Sequence, residues 1–297
     1  VIAPEELDRL EATVRRSLAT GRADALRVLG YGEITLVVGW PTDRPTHACK
    51  RLPRFPDRAS FDRYRDVLDR YVAALTERGL AVWPSELLRW DAPDGTVVGY
   101  LVQEALPQDS LLTSVLRGTE PDPDHPALLR LTGHVATVVD PTLGLDGQVS
   151  NWAVRDDGTL VYFDLTTPML TEPDGRPALD LGLFAAMVPW ALRATLRRLV
   201  FPGIVQRYHD PRTVLLDLAA NLHQERLVPW VPAAVDAANQ VLAPARRPLQ
   251  LDEVARDYAS DARQWELLLR LRRADRWWQQ RVRRREYPFL LPGPITR

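Results

Sequence analysis

The residues able to do chemistry in this chain are few and lie far apart. Of its 38 basic side chains one is a lysine, Lys50, and the rest are arginine. An ammonium is a compact point charge that seats between phosphate oxygens. A guanidinium is planar and longer, so the exchange is not conservative at such a site. Far downstream, Asp146, Asn151 and Asp164 follow one another at intervals of five and thirteen residues. An amide oxygen with one or two carboxylate oxygens makes a partial shell for Mg2+, which keeps waters and completes its coordination on substrate phosphates. Asp146 lies on the loop ahead of that pair, where it could accept a proton from an attacking hydroxyl. Aspartates are common enough for such spacing to arise by chance. The context says more, since asparagine occurs three times in the chain and the apolar run Leu160-Val161-Tyr162-Phe163 delivers Asp164.

The elements that must position these residues can be read from periodicity. Residues 5–18 carry Leu7, Leu10, Val14 and Leu18 at helical spacing. Three stretches rich in β-formers follow: Ala25 to Gly30, Glu33 to Trp40 and Thr46 to Leu52. They predict an antiparallel meander whose first turn holds Gly30-Tyr31-Gly32 and whose third strand holds Lys50. A helix is expected over residues 60–78, with Phe61, Tyr64, Leu68, Tyr71 and Leu75 buried and Gly79 as its stop. Strands are expected at Leu80 to Leu88 and Thr96 to Ala105. Beyond them the chain reads as mainly helical: Leu111 to Arg117, Pro126 to Val139, Leu181 to Leu199, Pro211 to Glu225, Pro232 to Val241 and Leu251 to about Arg284. The exception is a hairpin over residues 151–166, turning at Asp156-Asp157-Gly158. Its two ends bring Asn151 and Asp164 toward one point. The tail from Tyr287 is proline-rich and reads as an extended strap.

With these residues in place, Asp146-Gly147-Gln148-Val149-Ser150-Asn151 resembles the catalytic loop of the protein-kinase-like superfamily, and Asp164-Leu165-Thr166 stands where that superfamily carries its magnesium aspartate. Gly30-Tyr31-Gly32-Glu33 resembles its phosphate-covering glycine turn, and His47-Ala48-Cys49-Lys50 its strand-three lysine motif. The resemblance covers most of residues 20–170 in the right order. It is closest in style to the aminoglycoside phosphotransferase and choline kinase branch, because no activation segment is visible and the C-terminal region is largely helical. It implies an α+β, bilobal kinase-like fold. Residues 1–105 would form the nucleotide-binding lobe, a five-stranded antiparallel sheet with one long helix. Residues 106–297 would form a helical lobe with the catalytic loop, the hairpin and an acceptor pocket. It implies ATP and Mg2+ as cofactors, with Gly30, Tyr31, Gly32 and Lys50 at the phosphates. Glu104 and Leu106 would lie on the hinge that offers backbone groups to adenine. Asn151 and Asp164 would hold the metal and Asp146 would orient the acceptor. The work of such a site is positioning and charge neutralisation. Loss of one of its charges costs about 10²–10³-fold in rate.

The chain departs from the pattern in places. Gly144 stands where the catalytic loop usually has a histidine. Two glycines appear in the first turn, not three. The helix after Lys50 has its only glutamate at Glu77, so Asp69 is the expected partner of the lysine, with Asp66 nearby and Tyr71 equally placed by helix register. The leading expectation is phosphate transfer to a hydroxyl or amine of a small molecule. AMP transfer on the same fold, or a nucleotide-binding pseudokinase serving as a partner-binding module, are the alternatives.

Composition sets the outer bounds. A formal net charge of −1 argues against a general nucleic-acid binder. No apolar run approaches a membrane span, and the first residues lack a signal-peptide core, so a cytoplasmic protein without membrane partners is expected. The single cysteine, Cys49, excludes an internal disulfide and a cysteine zinc cluster. His134 and His209 show no ligand partner at metal spacing. Asp217 and Asn221 share a helix face and could contact a polar substrate, as could the Asp210-Pro211-Arg212 segment, although capping explains these residues equally well. The arginine run from Arg270 to Arg285 could bind an anionic substrate or partner, but such a run is more often a solvated helix face paired with nearby acids such as Glu266 and Asp275. Trp265, Trp277 and Trp278 could form part of a substrate pocket, but aromatics at helical spacing are usually core and they read so here.

Overall fold

The computed structural model describes residues 2–31, 35–182 and 206–284, together with Tyr287 and Leu290. Helix α1 (Pro4–Thr20) opens with proline at its first position and closes on Gly21 at φ 70°, the left-handed conformation that glycine takes without strain. Its apolar stripe is buried as the periodicity predicts. Strands β1 (Arg27–Tyr31), β2 (Leu36–Trp40) and β3 (His47–Phe55) form the meander. Helix α2 (Arg58–Glu77) starts on Asp57, whose carboxylate accepts the Ser60 N–H at 2.7 Å, and ends before Gly79 at φ 82°.

The next stretch corrects the sequence reading. One strand was expected over 80–88, but the chain makes two, which belong to different sheets. The two-residue β4 (Ala81–Val82) pairs in parallel with β8 (Leu160–Tyr162), next to β7 (Trp152–Val154). Strand β5 (Ser85–Asp91) turns back through β6 (Val97–Glu104), closing a five-stranded antiparallel sheet in the order β1-β2-β3-β6-β5. Pro84 ends β4, since it has no N–H to give a ladder. The small sheet thus takes strands from both sides of the division expected at residue 105.

The remaining described elements are helical: α3 (Leu112–Arg117), α4 (Pro126–Val138), α5 (Pro211–Gln224), α6 (Val231–Val241) and α7 (Leu251–Arg281). The helix expected over 181–199 and most of the proline-rich tail lie outside the described residues. The protein is therefore an α+β structure with a five-stranded antiparallel sheet and a C-terminal helical region. Its larger core runs from one face of the sheet and α2 through the hairpin into the helices. A smaller one joins the opposite sheet face to α1.

Alternation along β3 decides what Lys50 and its neighbour do. Successive strand residues point to opposite faces, so adjacent Lys50 and Arg51 part company. Arg51 turns to α1, where its guanidinium donates to both oxygens of Glu11 at 2.8 and 2.9 Å; the Tyr100 hydroxyl adds a third bond to Glu11 at 2.6 Å. All three side chains are buried. Glu11 was invisible as a core residue in the sequence, because it interrupts an apolar stripe that reads complete without it. Lys50 turns to the other face, in a cross-sheet row that runs Gly30, Val37, Lys50, Leu101 and Leu87.

Candidate active site

Lys50 is buried, with 5% of its surface exposed. Burying an ammonium is costly unless it is paired, and its partners come from the far half of the chain. Its Nζ donates to the Phe163 carbonyl at 2.8 Å and to Asp164 Oδ1 at 3.1 Å, and stands 5.2 Å from the Phe163 ring centre. Gln103 donates to the same carbonyl at 2.9 Å, anchored in turn by Ser85. The Asp164 side chain keeps a third of its surface exposed. Burial works against its charge, but the Lys50 ammonium and the bonds from Lys50 and Thr166 prevail and hold the carboxyl below its ordinary value. Both side-chain bonds, from Lys50 and from Thr166 Oγ1, land on Oδ1.

Strand β8 delivers Asp164, and its neighbour β7 begins one residue after Asn151. The Phe163 N–H donates to the Asn151 carbonyl at 3.1 Å, so these two ends of the hairpin are in direct contact. The Asn151 side chain is buried, and its Nδ2 has no hydrogen-bond partner among the described residues. Asp146 accepts the Gln148 N–H at 3.2 Å in a turn of its own making. The charges of Asp146 and Asp164 both act on one buried pair of phenols, Tyr71 and Tyr162, raising them further above the value that burial alone would give. The loop and the hairpin end therefore converge on the same region.

Gly144, where a histidine was missed, has no room for a side chain. A Cβ there would stand 2.9 Å from His209 Cε1, 2.9 Å from the Tyr208 carbonyl and 3.0 Å from Met169 Cβ. The imidazole of His209, 65 residues later in sequence, packs against this glycine, within 3.2 Å of Thr171 Oγ1. The Gly144 and Leu145 N–H groups donate to the carbonyls of Met169 and Tyr208 at 2.8 and 3.1 Å. Nothing in the sequence spacing points to His209 in this position.

Other expected residues lie elsewhere. Asp69 is exposed and does not pair with Lys50, because the helix turns its tyrosines, not its carboxylates, to the segments that carry Asp146 and Asp164. Among the described residues Asp164 is the carboxylate bonded to Lys50. Gly30 and Tyr31 fall in β1, and among the described residues a Cβ at Gly30 would meet nothing within 4 Å on the Lys50 face of the sheet. Gly32 lies outside the described residues. Glu104 ends β6 with its side chain exposed and its carbonyl accepting the Trp83 indole N–H at 3.0 Å; Leu106, just beyond, is half-buried.

The helical half adds a link that the sequence did not reveal. Gln148 donates to Asp217 Oδ2 at 3.0 Å and accepts from Asn221 Nδ2 at 3.3 Å, tying the i,i+4 pair of α5 to the loop of Asp146. Burial, with Asp257 and Asp261 adding to it, pushes the Asp217 carboxyl up to about 6 against the bond from Gln148 and the charge of Arg207. Asp210 caps α5 through Thr213, and Arg212 forks onto Glu253, so both serve the helix. His134 stacks on Trp152. In the arginine run Arg270 pairs with exposed Glu266, but Arg272 and Asp275 are buried, so that face is not wholly solvated. Trp277 and Trp278 are exposed, at 61% and 43%, which corrects their reading as core.

A family model, described as a family of unknown function, matches residues 9–276, which takes in every site residue above. The chain belongs to DUF6206. No curated protein matches it. In this DUF6206 chain no helix among the described residues is long and apolar enough to cross a membrane. Nor does any group of three or more His, Cys, Asp or Glu among them converge as a metal cage. A magnesium held largely by phosphate oxygens and water needs only one or two protein carboxylates. Asp164, part-exposed with its side-chain bonds gathered on one oxygen, fits that smaller demand, and Asn151 stands beside it at the other end of the hairpin with an amide oxygen of the right chemistry.

Proposed function

We propose that this DUF6206 protein is an ATP- and magnesium-dependent phosphotransferase acting on a hydroxyl or amine of a small molecule. It would be built on a bilobal kinase-like fold in the style of the aminoglycoside phosphotransferase and choline kinase branch. The observation that carries this reading is the Lys50–Asp164 contact, made between residues 114 positions apart. A chain whose other basic residues are all arginine puts its one ammonium, buried, against the carboxylate that the loop pattern marks for metal.

In this reading Lys50 gives its ammonium to the phosphate oxygens, and the open face beside Gly30 admits them. Asp164 and Asn151 hold the magnesium, which when bound neutralises charge on the phosphates. Asp146, fixed by its turn with Gln148, orients the acceptor and takes its proton. The Gln148, Asp217 and Asn221 chain sets the wall on the acceptor side. Both side chains on the nucleotide side of the site are held before ligand arrives, so little ordering is left to be done on binding.

Thermal unfolding with ATP and Mg2+ tests this. At a ligand concentration a hundred times its dissociation constant, binding stabilises the fold by about 2.7 kcal/mol. The shift should require the metal and disappear in Asp164→Ala. Absence of any shift with the intact protein would leave the ion pair as a structural clasp and the chain as a partner-binding module. Mass analysis of small-molecule extracts incubated with ATP then separates phosphate transfer from AMP transfer.

A further inference from the structure

Helix α2 meets the site through two tyrosine hydroxyls. Tyr64 donates to the Thr166 carbonyl at 3.0 Å, two residues after Asp164. Tyr71 donates to the Gly144 carbonyl at 3.1 Å, two residues before Asp146. Its hydroxyl also interacts with that of Tyr162, two residues before Asp164. Tyr64 and Tyr71 are seven residues apart, two helical turns, and so lie on one face. Both are buried, at 4% and 0% exposure. Burial keeps both phenols neutral, with the Asp164 charge acting in the same direction on each, so they remain donors.

We propose that Tyr64 and Tyr71 are positioning residues. They couple α2 to the two acid-bearing loops by neutral hydrogen bonds to the backbone, in place of a charged contact between the helix and Lys50. The consequence is a division of labour. Among the described residues Lys50 bonds the Asp164 segment and not α2, while the separation between the Asp146 loop and the Asp164 segment is set by the spacing of two rigid phenols on one helix. The carbonyls concerned lie two residues from each acid, so a shift of the helix moves both acid-bearing segments together. This rests on the proposed phosphotransferase reading for its functional meaning, but its structural content can be tested without it.

The test uses the full chain with Tyr64→Phe and Tyr71→Phe, which keep ring packing and remove only the hydroxyls. Amide hydrogen exchange should rise locally: over 143–146 in Tyr71→Phe, where Gly144 and Leu145 donate to Met169 and Tyr208, and over 163–166 in Tyr64→Phe. Unchanged exchange at those segments, or a uniform rise over the whole chain, overturns the proposal. A second arm reads nucleotide affinity by calorimetry. Tyr64→Phe should weaken Mg2+–ATP by about tenfold while changing ATP without metal far less, because the displaced group is the metal-side carboxylate. Equal weakening with and without metal counts against a positioning role. If the intact protein binds no Mg2+–ATP, the phosphotransferase reading fails, and the exchange measurement still decides the role of the tyrosines.

Discussion

Lys50 Nζ lies 3.1 Å from Asp164 Oδ1 and 2.8 Å from the carbonyl of the residue before it, so one ammonium holds both the side chain and the backbone of the hairpin's exit. The contact has a definite pH signature. The Asp164 carboxyl sits below its ordinary 3.8 when folded, so its contribution to stability is complete above about pH 3.8 and is lost as pH falls through the lower, folded value. Asp164→Asn should therefore be less stable than the natural protein at neutral pH, with the gap closing in acid. Denaturant midpoints across pH check this. A gap that persists unchanged to the most acidic point would mean that the carboxylate charge is not what matters.

Lys50→Arg keeps the charge and changes its shape. We expect a folded protein whose thermal shift with ATP and Mg2+ is lost, because a planar fork cannot seat where a compact ammonium did. Retention of the full shift would remove the special role assigned to the one lysine.

The Glu11–Arg51–Tyr100 cluster stabilises the seating of α1 on the sheet. Removing one member of a buried pair leaves an unpaired charge, and Glu11→Ala should cost about 3–5 kcal/mol. The double change Glu11→Leu with Arg51→Met should recover most of that loss in urea unfolding, since packed apolar groups often replace a buried ion pair without penalty. A double variant no better than the single one would show that the cluster does more than neutralise itself.

Gly144→Ala forces a methyl group to within 2.9 Å of His209 Cε1 and of the Tyr208 carbonyl. The carbonyl is backbone and cannot swing aside. Overpacking of this kind costs about 1–3 kcal/mol, and the strain falls on the peptide that carries Asp146. We expect a lower melting temperature together with loss of any ATP-dependent activity. His209→Ala in the same chain should restore part of the stability by making room, which calorimetry would register.

Asp217 gives the opposite pH signature to Asp164. Its carboxyl rises from 3.8 to about 6 on folding. The folded protein then holds the proton more tightly than the unfolded chain, so the cost of burying this group is absent below about pH 3.8 and complete above about pH 6. Asp217→Asn, which can still accept from Gln148, should gain stability relative to the natural protein as pH rises through that window and stay level beyond it. A difference that does not vary with pH would place the Asp217 proton elsewhere.

The sequence by itself determined the local elements and the residues worth watching. Periods of 3.6 and 2, the stop at Gly79 and the hairpin turn at Asp156-Asp157-Gly158 are short-range properties, and they yielded α1, α2, the meander and the strand that delivers Asp164. Lys50 stood out because lysine is otherwise absent, and Asn151 because asparagine is rare. What only the tertiary structure decided is who meets whom across long stretches of chain. The two-residue β4 is too short to carry a pattern, yet it joins the hairpin sheet. Glu11 is buried because Arg51 and Tyr100 wait for it on two other elements, β3 and β6. Tyr71, not Asp69, reaches the loop of Asp146, and His209 fills the side of Gly144 from 65 residues away. Spacing along a chain reports the near neighbours that a helix or strand imposes. Contacts between elements depend on how whole faces pack, and the choice between a tyrosine and a carboxylate two residues away is made there.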